Sequence, residues 1–172
     1  NVEDIRKLLF AGADKISINS SAISNPNLII EGANNFGSQC IVVAIDAKAT
    51  KNSRIKSGYE VFSHGGRVST GLDALEWAKR AVKLGAGELL ITSMDRDGTK
   101  KGFDLPLIKK ISSNVTVPII ASGGVGELKD FVEGFKLGGA SGLLAASVFH
   151  FGKYKINEVK EKLKREGLPA RI

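Results

Sequence analysis

Ala74-Leu75-Glu76-Trp77-Ala78-Lys79-Arg80-Ala81-Val82-Lys83-Leu84, then Gly85-Ala86-Gly87, then Glu88-Leu89-Leu90-Ile91-Thr92-Ser93, is the stretch that decides the fold class. It reads as a helix, a turn of small residues, and a short apolar strand ending in polar side chains. The same unit occurs earlier, as Ile5 to Phe10, Ala11-Gly12-Ala13-Asp14 and Lys15-Ile16-Ser17-Ile18-Asn19-Ser20. It occurs again later, as Leu128 to Leu137, Gly138-Gly139-Ala140-Ser141 and Gly142-Leu143-Leu144-Ala145-Ala146-Ser147. Two more strands, Cys40 to Asp46 and Val117 to Ser122, lie between these copies. The strands are runs of Ile, Val, Leu and Ala without polar alternation, which suits parallel strands buried on both faces with helical crossovers. Glycine after a helix permits the left-handed backbone that ends it.

A regular βα repeat makes either a closed barrel or an open doubly wound sheet. An open sheet normally carries its phosphate-binding glycines after the first strand. Here Gly123-Gly124 and other small polar residues follow late strands, which favours the barrel. The expected fold is α/β, a (β/α)8 TIM barrel, present as an incomplete barrel of about five parallel strands. Residues 1–172 read as a single domain, the C-terminal part of such a barrel. Barrels of this kind run to about 250 residues, and the chain opens on Asn1 in what already reads as helix. The first three strands are therefore expected to be missing.

Composition limits the function classes. The chain is 42% hydrophobic and 25% charged, which fits a globular domain with a sizeable core. The net charge of +7 raises the question of nucleic acid. The C-terminal cations, however, alternate with acids (Glu158, Lys160, Glu161, Lys162, Lys164, Arg165, Glu166), as on a solvated helix face. Basic and aromatic residues are not interleaved as single-strand binding requires, so no nucleic-acid partner is expected. No apolar run is long enough to span a bilayer and no secretory start is visible, so no membrane partner is expected. The single cysteine, Cys40, reads as a buried thiol in a reducing cytoplasm.

One segment breaks the repeat. Lys48 to Gly71 contains Tyr59-Glu60-Val61-Phe62-Ser63 followed by Gly65-Gly66, which reads as a β-hairpin inserted after the second strand. Long βα loops lie on the catalytic face of barrels. A lid and a purely structural excursion both fit.

Candidate chemistry gathers at strand ends. Asp46 closes Ile41-Val42-Val43-Ala44-Ile45, the place where barrels put their acids and bases, and an apolar flank raises a carboxyl towards useful values. A helix cap or a salt bridge to Lys48 is the competing reading. Thr92 to Thr99 contains Asp95-Arg96-Asp97-Gly98, suited to a phosphate, a polar substrate or a local ion pair. Metal ligation is poorly supported, because the only histidines are His64 and His150. Ser122-Gly123-Gly124 and Ala145-Ala146-Ser147 end consecutive late strands, where barrels often build phosphate sites from close backbone N–H groups. Asn19-Ser20 offers donors elsewhere on the same rim. Two such grips would hold a long bis-phosphorylated substrate.

The segments Gly12 to Asn19, Val43 to Lys48, Thr92 to Thr99, Ile120 to Gly124 and Ala145 to Phe151 together resemble the cyclase subunit of imidazole glycerol phosphate synthase. The sister isomerase of histidine biosynthesis shares the barrel and the phosphate glycines and is the alternative. Ile45-Asp46-Ala47-Lys48, Asp95-Arg96-Asp97-Gly98-Thr99 and Ser147-Val148-Phe149-His150-Phe151 are more similar to the cyclase. The resemblance implies a reaction of ammonia with a bis-phosphorylated aminoimidazole carboxamide ribulosyl nucleotide, without metal or organic cofactor. It makes Asp46 a general acid and base. It assigns Gly98, Ser122, Gly123, Gly124, Ala146 and Ser147 to one phosphate site, Asn19 and Ser20 to the other, and Asp97 to the rim. It also implies a glutaminase partner on the opposite face, with Lys15 and Glu88 at an ammonia entrance and Asp14 at the interface. The family's other catalytic aspartate lies on its first strand. This polypeptide alone is therefore expected to lack turnover and to leave the barrel open; the third possibility is a non-catalytic phosphate-binding fragment.

Overall fold

The computed structural model describes residues 1–171. The first helix, α1 (Val2–Phe10), starts where Asn1 accepts a hydrogen bond from the Asp4 N–H. There follow β1 (Ile16–Ile18), α2 (Ser20–Ser24), α3 (Asn27–Phe36) and β2 (Ile41–Ala49). A hairpin, β3 (Tyr59–Ser63) and β4 (Val68–Asp73), leads into α4 (Ala74–Leu84) and β5 (Glu88–Ser93). The rest is α5 (Leu105–Ser112), β6 (Ile119–Ser122), α6 (Leu128–Lys136), β7 (Gly142–Leu144), α7 (Ser147–His150) and α8 (Ile156–Arg165). Helix α4 shows the local logic. The Asp73 carboxylate accepts from the N–H groups of Leu75 and Glu76, and Gly85 ends the helix at φ 113°, a left-handed conformation natural to glycine.

Strands β1, β2, β5, β6 and β7 are parallel, and neighbours in space follow each other in the chain. Right-handed crossovers between strands laid down in unbroken order put every helix on the same side of the sheet. The core confirms it. Ile41, Val43, Ile45, Leu89, Ile91, Ile119 and Ala121 pack in one cluster with Ile29, Trp77, Ala81, Leu107, Ile111 and Phe131 from the helices. Their strand neighbours Val42, Ala44, Leu90 and Ile120 point the other way and stand outside that cluster. A one-sided arc of parallel strands is a portion of a (β/α) barrel, and the uncovered side is its inner face.

The hairpin enters as expected, but it changes β2. The N-terminal half of β2 pairs with β1 through residues 41–43, and its C-terminal half pairs antiparallel with β3 through residues 46–49, along the same edge. That pairing carries β2 on to Ala49, three residues beyond the expected strand end at Asp46. Other strands are shorter than their apolar runs suggest. Pro118 has no N–H for a ladder, and β6 begins at Ile119. Cys40 was expected buried at the start of a strand. It lies instead in a short 3-10 turn, Ser38–Cys40, and is half-buried.

Candidate active site at the carboxyl ends of the strands

The register puts Asp46, Thr92, Ser122 and Leu144 at one level of the sheet. Residues opposed in parallel strands project to the same face, so Asp46 and Ser122 share the uncovered inner face near the carboxyl ends. Asp46 is half-buried, and its Oδ2 accepts a hydrogen bond of 3.0 Å from Asn19 Nδ2. Burial pushes its carboxyl above the usual carboxylate value of 3.8; the Asn19 hydrogen bond opposes this, and the negative charge of Asp97 adds to it. The competing readings of Asp46 do not hold. It lies within β2, so it caps no helix, and Lys48 sits over the Phe62 ring at 6.0 Å with no ion pair to Asp46.

The loop after β5 is fixed by backbone contacts rather than by an Asp–Arg pair. Asp95 Oδ2 accepts from the Ala49 N–H at 2.7 Å, which ties the loop to the end of β2. Arg96 Nη1 donates to the Lys101 carbonyl at 3.1 Å, and the Asp97 N–H donates to the Ser93 carbonyl at 2.9 Å. The Gly102 N–H then donates to the Gly124 carbonyl at 2.7 Å, joining this loop to the one after β6. Gly124 has φ 101°, and a Cβ there would collide with the Gly102 carbonyl oxygen. Only glycine lets these two loops close on each other.

Between the loops is a pocket of about 140 Å³. Its lining brings together Asp97, Gly98, Ser122, Gly123, Gly124, Ala146 and Ser147, all of them residues singled out in the sequence. Lys100 and Leu144 also line it. Asn19 and Ser20 are not in this pocket; they stand at the far end of the same rim, after β1. The Ser20 hydroxyl accepts from the His64 N–H at 2.9 Å, so the tip of the β3–β4 hairpin touches the end of β1. The amide of Asn19 is turned to Asp46, and its Oδ1 is buried with no partner among the described residues. Such an orphan acceptor is expensive unless a ligand or water donates to it.

At the other end of the strands, Lys15 Nζ donates to Glu88 Oε2 at 2.8 Å. Glu88 is level with Val42, four residues before Asp46, which at about 3.3 Å per residue separates the two ends by about 13 Å. Asp14, beside Lys15 in sequence, is exposed. Among the described residues no group of three or more His, Cys, Asp or Glu side chains is arranged to hold a metal ion. No helix among them is long and apolar enough to cross a membrane.

Asp104 is a buried polar residue that sequence reasoning missed. It accepts from Tyr59 Oη at 3.1 Å, from Ser93 Oγ at 2.9 Å and from the Leu107 N–H at 3.1 Å. The hairpin is thereby anchored to the end of β5 and to the start of α5. Burial, together with the Asp104 charge, pushes the Tyr59 hydroxyl up to about 12. Asp104 ahead of Leu105-Pro106 is a helix-cap signal; nothing local marks Tyr59 as its partner.

Parallel strands in unbroken order, helices on one side, and an acid and a glycine-lined pocket at the carboxyl ends define an α/β barrel protein whose site has the usual barrel placement. The particular family follows from comparison with known proteins. Residues 1–155 match the family model described as "Histidine biosynthesis protein", and the chain belongs to that family. It is thus of the histidine-biosynthesis enzyme type, a type that includes both the cyclase and the isomerase.

Proposed function

We propose that the chain is the cyclase kind of this family, the C-terminal part of the cyclase subunit of imidazole glycerol phosphate synthase. Ammonia would condense with the ribulosyl carbonyl of the bis-phosphorylated nucleotide (PRFAR), with loss of water. Cleavage and ring closure then give imidazole glycerol phosphate and the aminoimidazole carboxamide ribotide (AICAR). Asp46 is the proton carrier. A half-buried carboxyl, held above its ordinary value by burial, keeps its proton to higher pH than a free carboxyl does and is suited to both taking and returning one. The Asn19 amide fixes its orientation. The pocket around Gly98, Gly124 and Ser147 takes one phosphate through backbone N–H groups, and the end of β1 at Asn19 and Ser20 takes the other. The single observation that carries this reading is that Asp46 and the glycine-lined pocket lie at one level on one face of the sheet.

The cyclase is preferred to the isomerase on the segments Ile45 to Lys48, Asp95 to Thr99 and Ser147 to Phe151. The Lys15–Glu88 pair, at the end of the strands remote from Asp46, supports an ammonia entrance there and a glutaminase docked over Asp14, Lys15 and Glu88. A cytoplasmic location goes with that partnership. The test gives the full product of the gene each substrate in turn. Ammonia-dependent consumption of the ribulosyl nucleotide with release of AICAR is expected, and Asp46→Asn should lower kcat by about 10²–10⁴-fold. Consumption of the ribosyl isomer, with no response to ammonia, would establish the isomerase instead.

A further inference from the structure

Lys100 stands at φ 59°, in the left-handed region that favours glycine. Two neighbours in the same loop with positive φ, Gly98 at 74° and Gly102 at 84°, are glycine; Lys100 is not. Lysine lacks the short polar side chain with which asparagine or aspartate offsets this conformation, so the surroundings must impose it. They do so on both sides. The Lys100 carbonyl and Cβ pack so closely on Gly126 that a side chain there would collide with them. The next residue is held at its N–H by Thr99 Oγ1 at 3.3 Å and at its carbonyl by Arg96 Nη1 at 3.1 Å.

Charge gives this strained position a purpose. The lining of the 140 Å³ pocket includes two residues with ionisable side chains, Asp97 and Lys100; the remainder is glycine, small residues, Val125 and Leu144. Among the described residues neither Asp97 nor Lys100 forms an ion pair, although five other lysines do. Without Lys100 the pocket would meet an anion with a carboxylate alone, and backbone N–H groups would have to overcome that repulsion. We infer that Lys100, fixed in a strained backbone at the pocket wall, is the cation that offsets Asp97 and makes this pocket bind a phosphomonoester. The inference rests on the reading of the pocket as a phosphate grip and adds the residue that sets its charge.

The 172-residue chain and two variants, Lys100→Gly and Lys100→Arg, are titrated with inorganic phosphate, following backbone amide shifts of Gly98, Gly124 and Ser147 by NMR. Their melting temperatures are measured in parallel. Lys100→Gly should bind phosphate about tenfold more weakly, equivalent to ~1.4 kcal/mol. The same variant should melt about 2–4 °C higher, because glycine removes the backbone strain. Lys100→Arg should bind within about twofold of the parent, since the charge is kept. Unchanged affinity in Lys100→Gly would overturn the role of the lysine while leaving the grip intact. Weaker binding with a lower melting temperature would mark a structural lysine and overturn it too. No shifts with the parent chain would remove the phosphate grip itself, and the inference with it.

Discussion

The two faces of the parallel sheet are built from alternate residues of the same five strands, yet they do different work. On the helix side, Ile41, Val43, Ile45, Leu89 and Ile91 are all fully buried, at 0% exposure. On the inner side, Leu90 and Ile120 are half-buried and Leu144 is 43% exposed. The covered face holds the chain together. The inner face contributes less to cohesion and carries the polar chemistry, with Asp46, Thr92 and Ser122 at its carboxyl end. Strand periodicity makes the separation possible, because moving one residue along a strand changes the face and therefore the role.

The largest expected effect tests the cohesive face. Ile45→Ala should destabilise the chain by about 2–5 kcal/mol, through lost burial and a cavity among the helices. Leu90→Ala, one strand away on the inner face, should cost about 1 kcal/mol or less, because its side chain is already partly in water. Urea unfolding monitored by circular dichroism measures both. Equal costs would break the contrast between the faces.

A smaller effect, opposite in sign, is expected at the polar rim. The folded carboxyl of Asp46 is raised, so folding binds its proton more tightly than the unfolded chain does. The ionised form is then a burden on stability at neutral pH. That burden lifts as pH falls through the raised folded value, and it is gone below the ordinary value of 3.8. Asp46→Asn should therefore be more stable than the parent at pH 7, with the two converging in acid. An asparagine variant less stable at pH 7 would show that the ionised carboxylate is favoured where it sits.

How far the sequence reveals this arrangement depends on how local each cause is. The five strands and the hairpin are legible because apolar runs and glycine turns are properties of short segments. The Ser122-Gly123-Gly124 and Ala146-Ser147 ends meet in one pocket because consecutive strands of a barrel put them side by side. Contacts between distant segments are not legible. The extension of β2 to Ala49 comes from pairing with β3, ten and more residues further on. Asn19 offers a polar donor in the sequence, but only the fold shows that its amide reaches Asp46, 27 residues away. Asp104 shows its cap in the sequence and hides Tyr59 and Ser93, the two side chains that make it an anchor for the hairpin. Lys100 is one of many lysines until its backbone angle is known.

If the glycine-lined pocket grips an anion as proposed, one rim holds both that pocket and the raised carboxyl of Asp46. Side-chain carboxyl carbons labelled with 13C give the titration of Asp46 directly, with and without inorganic phosphate. A midpoint above 3.8 that climbs further when phosphate occupies the pocket is the expected result, since added negative charge nearby disfavours ionisation. A midpoint at or below 3.8, indifferent to phosphate bound at Gly98 and Gly124, would contradict a shared rim.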